Sequence, residues 1–176
     1  MLHLAGEVAD GVLLNLTTPR SLPPAVRTVL DGVRAAGRRR SEVVVACVLP
    51  CSLGDDEELS RRTGQELVVG YALHPAAGRL FAASGYGEEL ANAAQLLRDG
   101  DRPGALAVIG DGMVDDFLLR GDAHQVRARI EAYRAAGVDL PILFPVPGDG
   151  DWDAAVGRTI DFISGLRSAP TREESA

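Results

Sequence analysis

The chain contains no lysine, because all eighteen basic residues among its 176 are arginine. This excludes Schiff-base chemistry and amine nucleophiles supplied by a lysine side chain. Positive charge is also outweighed, since the net charge is -7 and the pI is about 4.9. Nucleic-acid backbones are bound by clustered positive charge, so we expect no nucleic-acid partner. The one dense basic run, Arg38 to Arg40, is expected to contact the C-terminal carbonyl groups of the predicted helix that it follows, or to be solvated.

Cysteine and histidine are scarce as well, with two and three residues respectively. Cys47 and Cys51 lie four residues apart in or at the end of a predicted strand, about 13 Å from each other, which is too far for a disulfide. Without a cluster of histidines, no zinc or other metal site is expected. Free thiols indicate a reducing, cytoplasmic compartment. Neither a secretion leader nor an apolar run long enough to span a membrane is found in the sequence, so no membrane partner is expected.

What the sequence does contain is short apolar strands that alternate with helices. Leu2 to Asn15 joins an amphipathic helix to a strand through Asp10-Gly11. Further strands are predicted over Ser41 to Leu49 and over Leu140 to Val146. Their apolar runs lack alternation, which is typical of strands covered on both faces in a parallel sheet. Pro50 to Gly54 is predicted to be a loop.

Helices are predicted between these strands and after the last one. The first of them stops at Gly37, the next follows an N-cap at Asp122, and the last spans Trp152 to Leu166 with apolar residues along one face. Between Leu59 and Arg120 the interruptions predict several short helices, a helical excursion away from the sheet. This alternation predicts a parallel α/β architecture with right-handed crossovers.

Two short motifs resemble ligand sites. Asp55 to Glu58 places four acids at the start of a helix, where the helix dipole favours them, so a solvated cap is preferred to a metal site. Gly110-Asp111-Gly112 precedes a helix as a phosphate loop does, but no predicted strand leads into it and the full glycine-rich fingerprint is absent. Neither motif therefore predicts a ligand.

Two segments carry a family resemblance. LAGEVADGVLLN near the start and GDAHQVRARIEAYRAAGVDLPILFPV near the end, with their spacing, resemble the C-terminal half of the luciferase-like oxidoreductases. The resemblance implies an α/β fold, a partial (β/α)8 TIM barrel whose three strands correspond to the sixth, seventh and eighth, with flanking helices and the helical excursion. Residues 1–166 are expected to form this portion of the barrel domain, and residues 167–176 a disordered tail.

The resemblance also implies an activity. Luciferase-like enzymes perform hydride transfer or monooxygenation on a small organic substrate with the deazaflavin coenzyme F-420 or with FMN. Their sites lie at the carboxyl ends of the barrel strands. After the first strand, the cofactor-binding candidates are Asn15, Leu16 and Thr17. After the second and third strands, the substrate-pocket candidates are Cys51, Ser52 and Pro145.

The residue types leave alternatives at two of these positions. The amide of Asn15 can donate to and accept from the edge of a flavin-type ring, and an Asx turn within its own loop is equally compatible. Cys51 has no histidine or aspartate placed in the sequence to activate it, so a small buried apolar residue is the favoured interpretation. No catalytic residue is predicted.

The expected strand number has a physical consequence. Three parallel strands cannot close a barrel, so a sheet edge and a large apolar surface are expected to be exposed. We therefore expect the isolated chain to be marginally stable, to aggregate, or to depend on a second copy or a partner chain. A non-catalytic assembly subunit is the alternative to an enzyme. A true start upstream of Met1 is a third option.

Overall fold

The computed structural model describes residues 1–54, 56–148 and 150–167. Within them, helices alternate with parallel strands, as the sequence predicts. In chain order, the elements are α1 (Leu2–Val8), β1 (Gly11–Leu14), α2 (Leu22–Ala35), a 3-10 turn (Arg40–Glu42), β2 (Val44–Leu53), α3 (Glu57–Tyr71), α4 (Ala77–Ala83), α5 (Gly87–Arg98), α6 (Arg102–Ala107), α7 (Asp111–Phe117), β3 (Leu119–Gly121), α8 (Ala123–Ala135), β4 (Leu140–Pro145) and α9 (Trp152–Arg167). The predicted tail lies outside the described residues, apart from Arg167.

Strand β2 is the centre of the sheet. β1 pairs in parallel with its first four residues, β3 with its last three, and β4 with residues 46–51 between them. The stretch that pairs with β4 overlaps both of the others. Because a strand has only two edges, β4 occupies one edge of β2, while β1 and β3 share the other.

The predicted loop from Pro50 to Gly54 is wrong up to Leu53, because β2 continues through it. Proline cannot donate to a ladder, so it weakens a strand prediction. Here β3 and β4 hold the flanking residues from both edges, and Cys51 pairs with each of them. β3 itself is only three residues long and follows a helix directly, so the sequence pattern does not separate it from the excursion.

The apolar side chains form two separate cores. The first packs one face of the sheet against the flanking helices, and it includes every second residue of β2, from Val45 to Cys51. The second lies within the excursion formed by α3 to α7. Helices α1 and α2 touch closely, since a Cβ on Gly32 would lie 1.9 Å from the carbonyl oxygen of His3.

The basic run contacts the end of a different helix from the one expected. Arg38 donates to the carbonyl oxygens of Gly6 (2.8 Å) and Ala9 (2.9 Å) at the end of α1, although it follows α2 in the chain. Arg40 forms a bidentate ion pair with Asp139, at 2.8 and 2.7 Å. The run therefore holds the amino-terminal edge of the fold together.

The second face of the sheet is apolar and exposed. Its residues alternate with those of the first core along the same strands. Five of them, here named the open face, expose between 38% and 65% of their surface: Leu13, Val44, Leu140, Ile142 and Phe144. This confirms the expected exposed apolar surface.

The apolar face predicted for the last helix is also exposed. In α9 the residues Val156, Ile160 and Ile163 do share one face, but it is the face of Ala155, Thr159 and Phe162 that is buried. No described helix is both long enough and apolar enough to cross a membrane.

Candidate functional site

The segment Asn15 to Thr18 leaves the carboxyl end of β1 in an unusual conformation. Asn15 is exposed, and its Oδ1 accepts a hydrogen bond from the backbone nitrogen of Leu16 at 2.8 Å. The amide oxygen is thus used within the loop, but its donor is the next residue and not Thr17, as an Asx turn would require. The amide nitrogen forms no hydrogen bond with another described residue, so it can donate to a ligand.

Leu16 contributes backbone, not side chain, to this segment. Its φ of 51° is the only positive value at a non-glycine residue in the described part of the chain. Its side chain is 9% exposed and belongs to the excursion core. A left-handed leucine costs about 1–2 kcal/mol, so the surrounding packing must stabilise it.

Thr17 and Thr18 are held by side chains from several elements. The Thr17 Oγ1 lies 3.3 Å from the Cys47 Sγ, and the Thr17 carbonyl oxygen accepts a hydrogen bond of 2.9 Å from the Tyr133 hydroxyl. The Oγ1 of Thr18, which is fully buried, lies 3.2 Å from the Ser84 Oγ of the excursion. The segment therefore joins β1 to both cores.

Cys51 and Ser52 face opposite sides of the sheet. Cys51 is 1% exposed within the first core, where burial raises the pKa of its thiol to about 12. A thiol in that state is protonated and unreactive, which fits the interpretation as a small buried residue. Ser52 is partly exposed and lines a cleft of about 190 Å³, together with Leu59 and Arg158.

The predicted site residues lie at two heights along β2. Pro145 is the register partner of Cys51, so it is level with that part of the strand. β1 ends earlier, with Leu14 opposite Cys47. Four residues of strand, about 13 Å, separate the two levels. The structure thus brings Pro145 close to the level of Ser52 and places the Asn15 segment lower.

A second cleft, of about 340 Å³, was missed in the sequence analysis. It opens where β2 and β3 end, and its lining includes Ser60, Arg120, Asp122 and Gln125. Asp122 accepts from the backbone nitrogen of Gln125 at 2.8 Å, and Gln125 Oε1 accepts from that of Asp122, so the predicted N-cap is confirmed as a full capping box. Arg120 pairs with Asp115 at 2.6 Å. The cleft depends on β3, a strand that the sequence pattern does not predict.

The two ligand-like motifs form caps and contacts within the protein. Asp56 is the N-cap of α3 and accepts from the Leu59 nitrogen at 2.9 Å, which confirms the cap interpretation for that residue; Asp55 lies outside the described residues. Gly110 precedes the short helix α7, and the Gly112 carbonyl oxygen accepts from the Tyr86 hydroxyl at 3.0 Å. In the part of the chain that is described, no three His, Cys, Asp or Glu residues converge as metal ligands.

Comparison with known proteins places this arrangement in a family. A family model described as luciferase-like monooxygenase matches residues 1–140. The chain belongs to the luciferase-like family. Two 5,10-methylenetetrahydromethanopterin reductases are similar to it. That of Methanopyrus kandleri is 31% identical over 139 residues, 78% of this chain and 40% of the relative, and that of Methanolobus tindarius is 31% identical over 141 residues, 78% and 43%.

Solved structures agree with this assignment. The coenzyme F-420-dependent tetrahydromethanopterin reductase of Methanopyrus kandleri superposes with a TM-score of 0.74 at 28% identity, over 89% of this chain and 45% of that one. An F-420-dependent secondary alcohol dehydrogenase, at 17% identity, shares the fold with a TM-score of 0.64, over 94% and 46%. The chain therefore spans less than half the length of the proteins it matches.

The luciferase-like assignment confirms the predicted fold class, a partial α/β barrel, with the short β3 in addition to the three expected strands. In a closed barrel, alternate residues of each strand point inward. The covered face packs against helices, as the outer face of such a barrel does. The open face is therefore the side that corresponds to a barrel interior.

Proposed function

We propose that this chain supplies part of a luciferase-like oxidoreductase that uses coenzyme F-420 for hydride transfer to or from a small organic molecule. The observation that carries the proposal is the agreement in fold and sequence with a reductase whose name states F-420 dependence. Only part of each relative is matched, so activity, substrate and cofactor are proposals for this chain. FMN, which has a ring of similar shape, remains the alternative cofactor.

The residues of the segment after β1 suit a planar ring with a polar edge. The amide nitrogen of Asn15 is available as a donor, and Leu13, two residues earlier, offers an exposed apolar surface. When bound, the coenzyme supplies the hydride chemistry, and the protein orients the rings and excludes water. In this proposal Asn15 binds the ring edge, the backbone of Leu16 and Thr17 shapes the rim, and Ser52 lies towards the substrate. Pro145 shares the covered face with Cys51, its register partner, so it has no contact with the substrate in this proposal.

Fluorescence titration of the purified chain with F-420 and, separately, with FMN tests this proposal. We expect saturable binding of F-420 and weaker binding of FMN. Asn15→Ala should weaken F-420 binding by about tenfold, as expected for loss of one or two ligand hydrogen bonds. Asn92→Ala, at the exposed asparagine of α5, is the matched control and should bind as the wild type does.

Two results would contradict the proposal in different ways. Absence of binding by either cofactor at high micromolar concentration would remove the cofactor role of this chain. Equal loss of affinity in Asn15→Ala and Asn92→Ala would leave binding in place but remove Asn15 from the site.

A second candidate function, that of a non-catalytic assembly subunit, is favoured by the open face. Contiguous exposed apolar surface on a soluble domain marks an interaction site more often than a free surface. Trp152, at the start of α9 and 52% exposed, extends that surface, because its ring packs edge-on against that of Phe144 at a centroid distance of 6.2 Å. In this reading, another polypeptide covers the sheet, and the chain contributes stability to an assembly.

Light scattering coupled to size exclusion, over a range of concentrations, separates this candidate from a free monomer. An assembly subunit is expected to run as a defined oligomer or complex that Phe144→Asp disrupts. Glu88→Asp, on the exposed surface of the excursion, serves as the control and should leave the mass unchanged. A monomer that binds no cofactor would contradict both candidate functions.

A further inference from the structure

The segment from Asn15 to Thr18 is constrained by more contacts than an ordinary loop after a strand. Leu16 inserts its side chain into the excursion core while its backbone is left-handed. Thr18, two residues later, is buried against Ser84 of that same excursion. Between these anchors, the carbonyl oxygen of Thr17 accepts a hydrogen bond from Tyr133, a residue of the first core.

Tyr133 lies where the two cores meet. It belongs to α8, it is 1% exposed, and its hydroxyl is 2.9 Å from the Thr17 carbonyl oxygen and 3.3 Å from that of Asp116. Asp116 is at the end of α7, the last helix of the excursion. One phenol proton is thus directed at both the site segment and the excursion, with the shorter contact to the segment.

The hydroxyl is a permanent donor. Burial, chiefly, raises the pKa of Tyr133, so the phenol keeps its proton throughout the physiological range. A buried hydroxyl of this kind needs a partner, and backbone carbonyls are the only acceptors recorded for it among the described residues. The hydroxyl therefore remains a donor at the pH of a cofactor titration.

The size of one hydrogen bond matches the size of the strain it opposes. The strain of a left-handed leucine lowers the population of that conformation by roughly fivefold or more. A neutral buried hydrogen bond favours one by about threefold to tenfold. Without the bond to Thr17, the adjacent Leu16 backbone would have a competing relaxed conformation, and Asn15 would change direction with it.

We propose that Tyr133 is a positioning residue for the candidate cofactor segment: its hydroxyl holds the Thr17 carbonyl and so keeps Leu16 left-handed and the Asn15 amide directed outward. This rests on the proposed function, because the segment matters for chemistry only if it binds the cofactor. Tyr133 touches no ligand itself and acts through the backbone of Thr17. The helical excursion contributes to the same arrangement, because Leu16 packs in its core and the Asp116 carbonyl oxygen is the second acceptor of the Tyr133 hydroxyl.

Tyr133→Phe tests the proposal, since it removes the hydroxyl and keeps the ring in the core. Two measurements are made on it: hydrogen exchange of the peptide containing residues 15–18, and F-420 affinity by fluorescence titration well below the unfolding temperature. We expect exchange about threefold to tenfold faster and affinity weaker by a similar factor. Tyr71→Phe, at the partly buried tyrosine that ends α3, is the matched control and should change neither.

A double-mutant cycle distinguishes positioning from general loss of stability. Leu16→Gly removes the strained residue, so Tyr133→Phe should weaken F-420 binding less in that background than in the wild type. Equal effects in both backgrounds would overturn the proposal, as would unchanged exchange of residues 15–18 in Tyr133→Phe.

If the wild type binds no F-420 but exchange still responds to Tyr133→Phe, the proposed function fails, while the hold of Tyr133 on the segment stands. If F-420 binds equally to both proteins, the positioning role fails and the proposed function stands.

Discussion

The two faces of the sheet have the same chemistry and opposite surroundings. On the covered face, Val45, Leu49 and Cys51 are at most 1% exposed. On the open face, Leu13 and Phe144 are 65% and 48% exposed. Both sets alternate along the same strands, so the sequence is that of a sheet buried on both sides. The described residues provide a cover for only one of them.

This difference shows where the free energy of the fold resides. Residues of the covered face contribute the full transfer free energy of burial, about 25 cal/mol per Å² of apolar surface removed from water. Residues of the open face still expose between 38% and 65% of their surface, so a large part of that contribution remains available. A ligand ring, a partner or a second copy that covers the open face is therefore stabilised by surface that the fold itself does not use.

The largest expected effect is the difference in the free energy of unfolding between two leucine truncations, one on each face of the sheet. Leu49→Ala, in the core, is expected to lower the free energy of unfolding by about 3 kcal/mol. Leu140→Ala, at a leucine that is 51% exposed, is expected to cost less than about 1 kcal/mol. Urea unfolding followed by circular dichroism measures both.

The same pair of variants can break the comparison. If Leu140→Ala costs as much as Leu49→Ala, the open face is covered in solution by something outside the described residues. Repeating the measurement at several protein concentrations then separates a second copy, whose effect grows with concentration, from a cover within one chain.

The next largest effect is expected at alkaline pH on the covered face. The pKa of Cys51 is raised by burial to about 12 from a usual value near 9. Between those values the unfolded thiol ionises while the folded one stays protonated, so the unfolded state binds fewer protons and stability falls as pH rises. The expected slope from this group is at most about 1.4 kcal/mol per pH unit. Urea midpoints measured from pH 8 to pH 11 report it.

Cys51→Ala serves as the reference for that slope. It should reduce the alkaline loss of stability. Cys47, Tyr86 and Tyr133 contribute to the remainder, because burial raises their pKa values too. A thiol reagent gives a faster comparison of the faces: Leu13→Cys should be labelled rapidly, and the two native cysteines only on unfolding. Rapid labelling of Cys51 in the folded wild type would contradict its burial.

Periodicity predicted the long elements and could not predict their surroundings. The three long strands, the stop at Gly37 and the cap at Asp122 depend on local patterns, and they are confirmed. Pro50 was misplaced because strand pairing from both edges overrides its local preference. Val156 and Ile160 were correctly placed on one face, but a period of 3.6 does not tell which face is covered.

The candidate site divides in the same way. The carboxyl-end positions of Asn15 and Ser52 follow from parallel strands, and their role in binding stays a prediction. The bond from Tyr133 to Thr17 joins residues 116 positions apart, and no local pattern encodes that contact. Nor does a local pattern predict the left-handed backbone of Leu16. Tyr133 reads in the sequence as one more apolar residue of a helix.

The smallest expected effect is at the amino-terminal ends of β2 and β4, whose pairing supports both faces of the sheet. Arg40→Ala removes the bidentate pair with Asp139, whose side chains are 41% and 43% exposed. Exposed pairs contribute about 0.2–1 kcal/mol, so we expect a loss within that range that decreases with added salt. Asp139→Ala should cost more, because the Val45 nitrogen also loses its acceptor at 2.8 Å. The ion pair does not belong to either face of the sheet. The loss of unfolding free energy in Arg40→Ala should therefore be the same whether or not a partner or ligand covers the open face. A different loss would mean that the covering molecule also contacts the ends of these strands.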